Sequence, residues 1–450
     1  MKNSQNELYV TTKSRLTINP VKSALKWYSW KSICLFLIVF GGRSVVGQVS
    51  DLMITEYVEG SSNNKYIEVF NGTGNSVNLA NYSLRLYSNG SASVTSSVVL
   101  SGTLHPNQTK VYNNSAASIY NGTSTTSTQI TAVLNFNGDD AIAIYNNSTS
   151  TFADILGVIG CDPGTTWTSS SIQTLDKTLR RKSTVCTGVS VNPNPTPCNS
   201  SSFTTLSSEW EVSNIDVVSG LGTHQYDCPY NNLTIPLGYN YNLSSGAQLT
   251  VNGVLTNNGT LTIESGATLV QGATSTLAGT GTYNVKQVIT GGNDGTNPNS
   301  RFWYMGSPVS LSSSSVLFLG ANDVVKKRDE VNNTWTALSS GAPENLAVGR
   351  GYYMRTTQST PTINFTGGVI NNNPTASALT LNLTRTANSF AGFNLVCNPY
   401  PSYLDWDLVT KDQVENTMWY RTADNTNTMV FETYVSGSGG IGTNVSGNTA

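Results

Sequence analysis

Residues 53–70 read Met53-Ile54-Thr55-Glu56-Tyr57-Val58, then Gly60-Ser61-Ser62-Asn63-Asn64-Lys65, then Tyr66-Ile67-Glu68-Val69-Phe70. The outer pieces are rich in β-branched and aromatic residues, and the middle piece is made of turn formers, so the stretch predicts a β-hairpin. The same texture continues downstream. Tyr82-Ser83-Leu84-Arg85-Leu86-Tyr87 alternates with period 2, and Thr131–Phe136 and Ala141–Tyr145 flank the turn residues Asn137-Gly138-Asp139-Asp140. Short strands at this spacing, joined by Asn-Gly turns, predict a β-sandwich.

Composition agrees. The 450 residues hold 24 Lys and Arg, 26 Asp and Glu, and only 11% charged residues, where a typical soluble domain is about a quarter charged. Ser, Thr, Asn and Gln supply the polar surface instead. A coiled coil or helical bundle lacks its Ala, Glu, Lys and Leu here, and 38% hydrophobic residues are enough to build cores. With a formal net charge of −2 and pI near 5.8, the chain has no basic excess with which to neutralise phosphates. An all-β, turn-rich protein with no nucleic-acid partner is expected.

Residues 1–47 predict a secretory signal peptide. Lys2, Lys13, Arg15, Lys22, Lys26 and Lys31 precede the apolar run Ile33–Phe40, and Val45-Val46-Gly47 offers a cleavage site before Gln48. An eight-residue run is too short to span a bilayer, so no membrane span is expected after cleavage. The mature chain would hold 17 basic against 25 acidic residues. Export exposes its cysteines to oxidising conditions. Cys161, Cys186, Cys198 and Cys228 are disulfide candidates with three connectivities open, of which the sequential pairing Cys161–Cys186 and Cys198–Cys228 is preferred. Cys397 is expected to be a buried thiol.

The hairpin, with Glu59-Gly60 continuing it, resembles the opening of a bacterial lamin tail domain. Asn135–Ile142, Asp162–Trp167, Lys177–Lys182, Ser208-Glu209-Trp210 and Gly220-Leu221-Gly222-Thr223-His224 fit the same family in order. The resemblance implies an immunoglobulin-like sandwich over residues 48–228. In bacteria such domains are accessory modules of exported proteins, some of them nucleases and phosphatases, and they bring no catalytic residues. The four cysteines lie outside the family pattern.

Residues 229–285 change texture. Leu233-Thr234-Ile235, Leu249-Thr250-Val251 and Leu261-Thr262-Ile263 are near copies, and Ser245-Gly246-Ala247 recurs as Ser265-Gly266-Ala267. Short repeats of this kind predict a small β-solenoid spacer packed on its neighbours. Residues 286–450 read as a second, aromatic-rich β-sandwich-like region. Its stretch Gly392–Pro401 with Leu404-Asp405-Trp406-Asp407 resembles a β domain of large surface proteins exported by type IX secretion. Such proteins end in a sorting domain, and none is visible before Ala450. The chain is therefore expected to be a fragment, with Met429–Val435 lacking the strand that should follow it.

Few residues suggest chemistry. His105 and His224 are the only histidines and read as loop residues, so neither a catalytic triad nor zinc is expected. Asp139 and Asp140 are the candidate calcium ligands, with a plain turn as the preferred reading. Glu56, Glu59 and Glu68 read as solvated strand acids rather than paired catalytic carboxylates. Arg180-Arg181-Lys182 and Lys326-Lys327-Arg328 read as solvated turns. Gly437–Gly442 matches GxGxxG in letters only, since no helix follows it. The tryptophans read as core residues, with a flat glycan-binding platform as the alternative. The expectation is a non-catalytic secreted or cell-surface structural and adhesion protein, presenting or binding partner proteins or glycans, with no cofactor beyond the calcium candidate. The alternative is the non-catalytic N-terminal part of a secreted hydrolase or nuclease.

Overall fold

The computed structural model describes residues 7–11, 14–18, 51–122, 127–130, 132–194, 196–292, 301–371, 379–386, 392–423 and 429–437. They are almost entirely strands and turns, and they divide into two compact units: 41–239, and 240–450 together with 1–40.

In the first unit the opening hairpin forms as its sequence predicts. Met53–Glu59 pairs antiparallel with Lys65–Phe70, and a bulge between Ile54 and Glu56 sets Glu56 opposite Glu68. The hairpin is the centre of a six-stranded sheet in the order Ser127–Gln129, Thr109–Asn113, Lys65–Phe70, Met53–Glu59, Thr178–Arg181, Trp210–Ser213. A four-stranded sheet packs against it in the order Thr151–Leu156, Ala141–Asn146, Tyr82–Tyr87, Ser96–Val99. Alternation supplies the core between the sheets: Ile54, Tyr57, Ile67 and Val69 face Leu84, Leu86, Ile142 and Ile144. Trp167 and Trp210 fill its end and are fully buried.

One expected strand is absent. Among the described residues of the run 131–136, Val133, Leu134 and Phe136 are buried in the core, but they enter it from a turn in which Leu134 N–H donates to Ile130 O. A short apolar run can plug a core without pairing, and its composition does not distinguish the two.

The four cysteines do form two disulfides, but the sequential pairing is overturned. Cys161 joins Cys198, and Cys186 joins Cys228. Backbone contacts explain the interleaving. Asp227 N–H donates to Ser183 O, which carries Cys228 to Cys186, and Thr168 N–H donates to Ser200 O, which brings the Cys198 loop back toward Cys161.

The second unit begins with stacked rungs. Asn240–Leu243, Thr260–Ile263 and Thr282–Val288 form one parallel ladder, Gln248–Val251 and Thr268–Gln271 a second, and Val254–Asn257 and Thr276–Ala278 a third. Register places Leu261 between Tyr241 and Tyr283 and Leu249 beside Leu269, so one column of apolar side chains points inward while Thr and Asn point out. Thr282–Val288 also pairs antiparallel with Thr362–Phe365. The rungs thereby share a unit with the region after residue 286.

Beyond the rungs, Trp303–Met305, Tyr352–Arg355, Val324–Asp329 and Thr334–Ala337 make an antiparallel sheet. Met429–Val435 is paired along its length with Thr417–Ala423 and forms the edge of its sheet. Two strands of this unit come from the expected leader. Glu7–Thr11 lies between Phe393–Cys397 and Thr417–Ala423, and Ser14–Ile18 between Leu379–Leu383 and Thr410–Lys411. The run Ile33–Phe40, Cys34 and the cleavage site at Gly47 lie outside the described residues. No helix among the described residues is long and apolar enough to cross a membrane.

Candidate functional site

The charged side chains of the sandwich gather in two layers. On the outer face of the six-stranded sheet, Glu56 and Glu68 sit opposite each other, and both are about 1% exposed. Strand parity puts them on the same face as Val58 and Tyr66. The segment bearing Val218 and Leu221 covers that face, which is why acids on a sheet surface become buried. Arg180 pairs in register with Glu56, and its Nε donates to Glu56 Oε2 at 3.1 Å. Glu68 accepts from Thr55 Oγ1 at 2.7 Å and from Gly222 N–H at 2.6 Å. Gly220 lets the covering segment approach closely: a Cβ there would displace the Arg180 guanidinium and the Glu56 carboxylate from their present positions.

Burial raises Glu56, against the lowering influence of Arg180. Burial pushes Glu68 up to about 8, and the neighbouring Glu56 charge adds to it. His224, also under this cover, packs edge-on against Phe70 with centroids 4.9 Å apart. Burial and the Arg181 and Arg180 charges depress it to about 3. It is a neutral, half-buried ring.

A pH dependence follows, with its sign fixed by linkage. From pH about 4.5 to 8 the folded Glu68 keeps a proton that the unfolded chain releases, so this group lowers stability as pH rises. From about 6.5 down to 3 the unfolded His224 takes a proton that the folded ring refuses, so this group lowers stability as pH falls. The two oppose each other below 6.5, and Glu68 acts alone between 6.5 and 8, at up to about 1.4 kcal/mol per pH unit. Glu68→Gln should flatten that alkaline loss. Urea unfolding at pH 6.5 and 8 measures it, and an equal loss in variant and parent contradicts the assignment.

The second layer lies inside the sandwich. Arg181 and Asp154 side chains are both 0% exposed and 2.6 Å apart. Asp154 also accepts from Ile54 N–H, Ile155 N–H and Val189 N–H. Arg181 further pairs with Glu209 at 3.4 Å and lies 4.6 Å from the centre of the Trp210 ring. Arg180-Arg181-Lys182 is thus no solvated turn. The first two residues end a central strand, with Arg180 facing out and Arg181 facing in, and Lys182 Nζ donates to Ser207 O and Ser208 O. Lys326-Lys327-Arg328 is likewise part of a strand, Val324–Asp329.

The remaining sequence candidates are placed as follows. Asp140 accepts from Asn89 N–H and Asn137 N–H, one with each carboxylate oxygen, so both oxygens serve the turn. Burial raises Asp139. No cluster of three His, Cys, Asp or Glu side chains able to hold a metal occurs among the described residues. Glu59 is not solvated but pairs with Lys65 at 2.7 Å. His105 Nδ1 lies 2.7 Å from Ser76 Oγ, and its ring lies against Tyr239. Cys397 is buried, and burial pushes its thiol up to about 12. Of the GxGxxG letters only Gly437 is among the described residues. Trp167, Trp210 and Trp406 are buried, while Trp303, Trp335 and Trp419 are half-buried. A shallow polar depression lined by Asp407, Lys411, Asn416 and Ser436 lies in the second unit.

Two family models match the chain. The lamin tail domain matches residues 46–160, and a second family matches residues 193–443. The strands Thr178–Arg181 and Trp210–Ser213 complete the first unit's sheet beyond the lamin tail match. No curated protein matches. The chain therefore carries a lamin tail domain and, over more than half its length, belongs to the family described as Domain of unknown function (DUF8693).

Proposed function

We propose that this chain is an exported, non-catalytic protein of the cell surface that displays β modules for contact with partner proteins or glycans, in the manner of the type IX-secreted surface proteins its sequence resembles. The interleaved disulfides of the first unit carry the reading, because such bonds persist in oxidising compartments. The ionisable groups support it. Glu56, Glu59, Glu68, Asp154 and Arg181 are each buried in the first unit and committed to a partner, where they hold segments together. Each oxygen of Asp140 accepts one backbone N–H of the turn, which gives the residue a structural role there.

Purified protein should hydrolyse DNA, phosphate esters and glycans no faster than buffer, with or without added calcium or zinc. Hydrolysis that disappears in Glu56→Gln or His224→Ala would overturn the non-catalytic reading.

A further inference from the structure

One face of the sheet around Val324–Asp329 in the second unit carries a group of aromatic rings and cations. Register aligns Tyr304 with Tyr353 and Tyr353 with Lys326, and strand alternation puts Arg355 on the same face. Trp335 stacks parallel to Tyr304, with centroids 6.2 Å apart, and meets Tyr353 edge-on at 5.9 Å. Phe431, 46% exposed, continues the surface against Tyr304. The result is a continuous patch of rings, of which Tyr304 is buried and the others reach solvent.

Cations are set among these rings. Lys326 Nζ lies 5.7 Å from the centre of Tyr353, and Arg421 lies over Phe302 at 3.5 Å. The Arg355 and Arg421 charges both act on the Tyr353 hydroxyl. Among the described residues no carboxylate comes within 4.0 Å of Lys326 or Arg355, in contrast to Lys327, which faces the other way and pairs with Glu344 at 2.6 Å. Arg355 Nε is buried and has no hydrogen-bond partner among the described residues. A buried, unsatisfied guanidinium N–H costs free energy unless an acceptor arrives.

We propose that this face binds an acidic polysaccharide, with sugar rings lying on Trp335, Tyr353 and Phe431 and their carboxylates or sulfates meeting Lys326 and Arg355. The rings offer flat apolar area for the C–H faces of sugars. The two cations supply charge-assisted hydrogen bonds, bidentate in the case of arginine. Single-stranded nucleic acid also stacks on such rings. Its affinity, however, rests mainly on neutralising successive phosphates, and a chain whose net charge is −2 has no basic excess for that. This inference deepens the surface-protein reading and rests on it.

The test is titration calorimetry of the full chain with heparin, polygalacturonate, neutral dextran and an oligothymidylate. Binding is expected to heparin or polygalacturonate, weakening with salt, and not to dextran. Lys326→Gln with Arg355→Gln should weaken it by about tenfold at an unchanged melting temperature. Trp335→Phe, which keeps the stack on Tyr304, should weaken it less. Failure of both acidic polysaccharides to bind overturns the inference but leaves the non-catalytic surface role intact. Dextran binding as tight as that of the acidic polymers, or tighter binding of the oligothymidylate, overturns it as well.

Discussion

Asp154→Ala should cost the sandwich about 3–5 kcal/mol, the scale for removing one partner of a buried ion pair. The side chains of Arg181 and Asp154 are both inaccessible to solvent, so water cannot replace the lost carboxylate. The variant leaves the Arg181 guanidinium buried against the Trp210 face, with only the 3.4 Å contact to Glu209 to balance it. It also strips the acceptor from Ile54 N–H and Val189 N–H, which ties the first strand of the hairpin to the segment after Arg181. The double variant Asp154→Leu with Arg181→Met should recover only part of the loss: it removes the uncompensated charge, while Ile54 N–H and Val189 N–H stay without their acceptor. Urea midpoints at constant m-value give both numbers. An Asp154→Ala protein within about 1 kcal/mol of the parent would contradict this account of the interior.

The next largest effect belongs to the disulfides. Cys186–Cys228 spans 42 residues and Cys161–Cys198 spans 37. Loop-closure entropy gives each about 4 kcal/mol when present alone. Because the two loops interleave, the second bond to form constrains a chain already shortened by the first, so removing both should cost more than the sum of the single removals from the two-bond protein. Replacing Cys186 and Cys228 by Ala is expected to lower the urea midpoint of the first unit and leave the second unit's transition in place. A non-reducing peptide map should recover Cys161 linked to Cys198. A map that joins Cys161 to Cys186 refutes the interleaved arrangement, and an unchanged midpoint refutes its energetic role.

Local pattern revealed much of this fold. The hairpin at 53–70, the alternating strand at 82–87 and the 20-residue recurrence of Ser-Gly-Ala each state their structure within a few residues, because period-2 alternation and rung repeats are local signals. Features that depend on distant segments were not legible. Glu68 looks like a solvated strand acid until Gly222, 154 residues away in sequence, donates to it. Arg181 looks like part of a basic turn until its strand is placed in the sheet and parity sends it inward to Asp154. The cysteine pairing depends on hydrogen bonds such as Asp227 N–H to Ser183 O, which no cysteine spacing encodes. The aromatic patch lay in plain sight as scattered Trp, Tyr and Phe. Only register showed which of them share a face.

The central claim, an exported surface module held by disulfides, is tested most directly on protein recovered from the outside of the cells that make it. Intact mass and non-reducing peptide mapping should find a chain that carries Cys161–Cys198 and Cys186–Cys228, with Cys397 as a free thiol. Protein found only inside the cell, with its cysteines reduced and the run Ile33–Phe40 still attached, would contradict it.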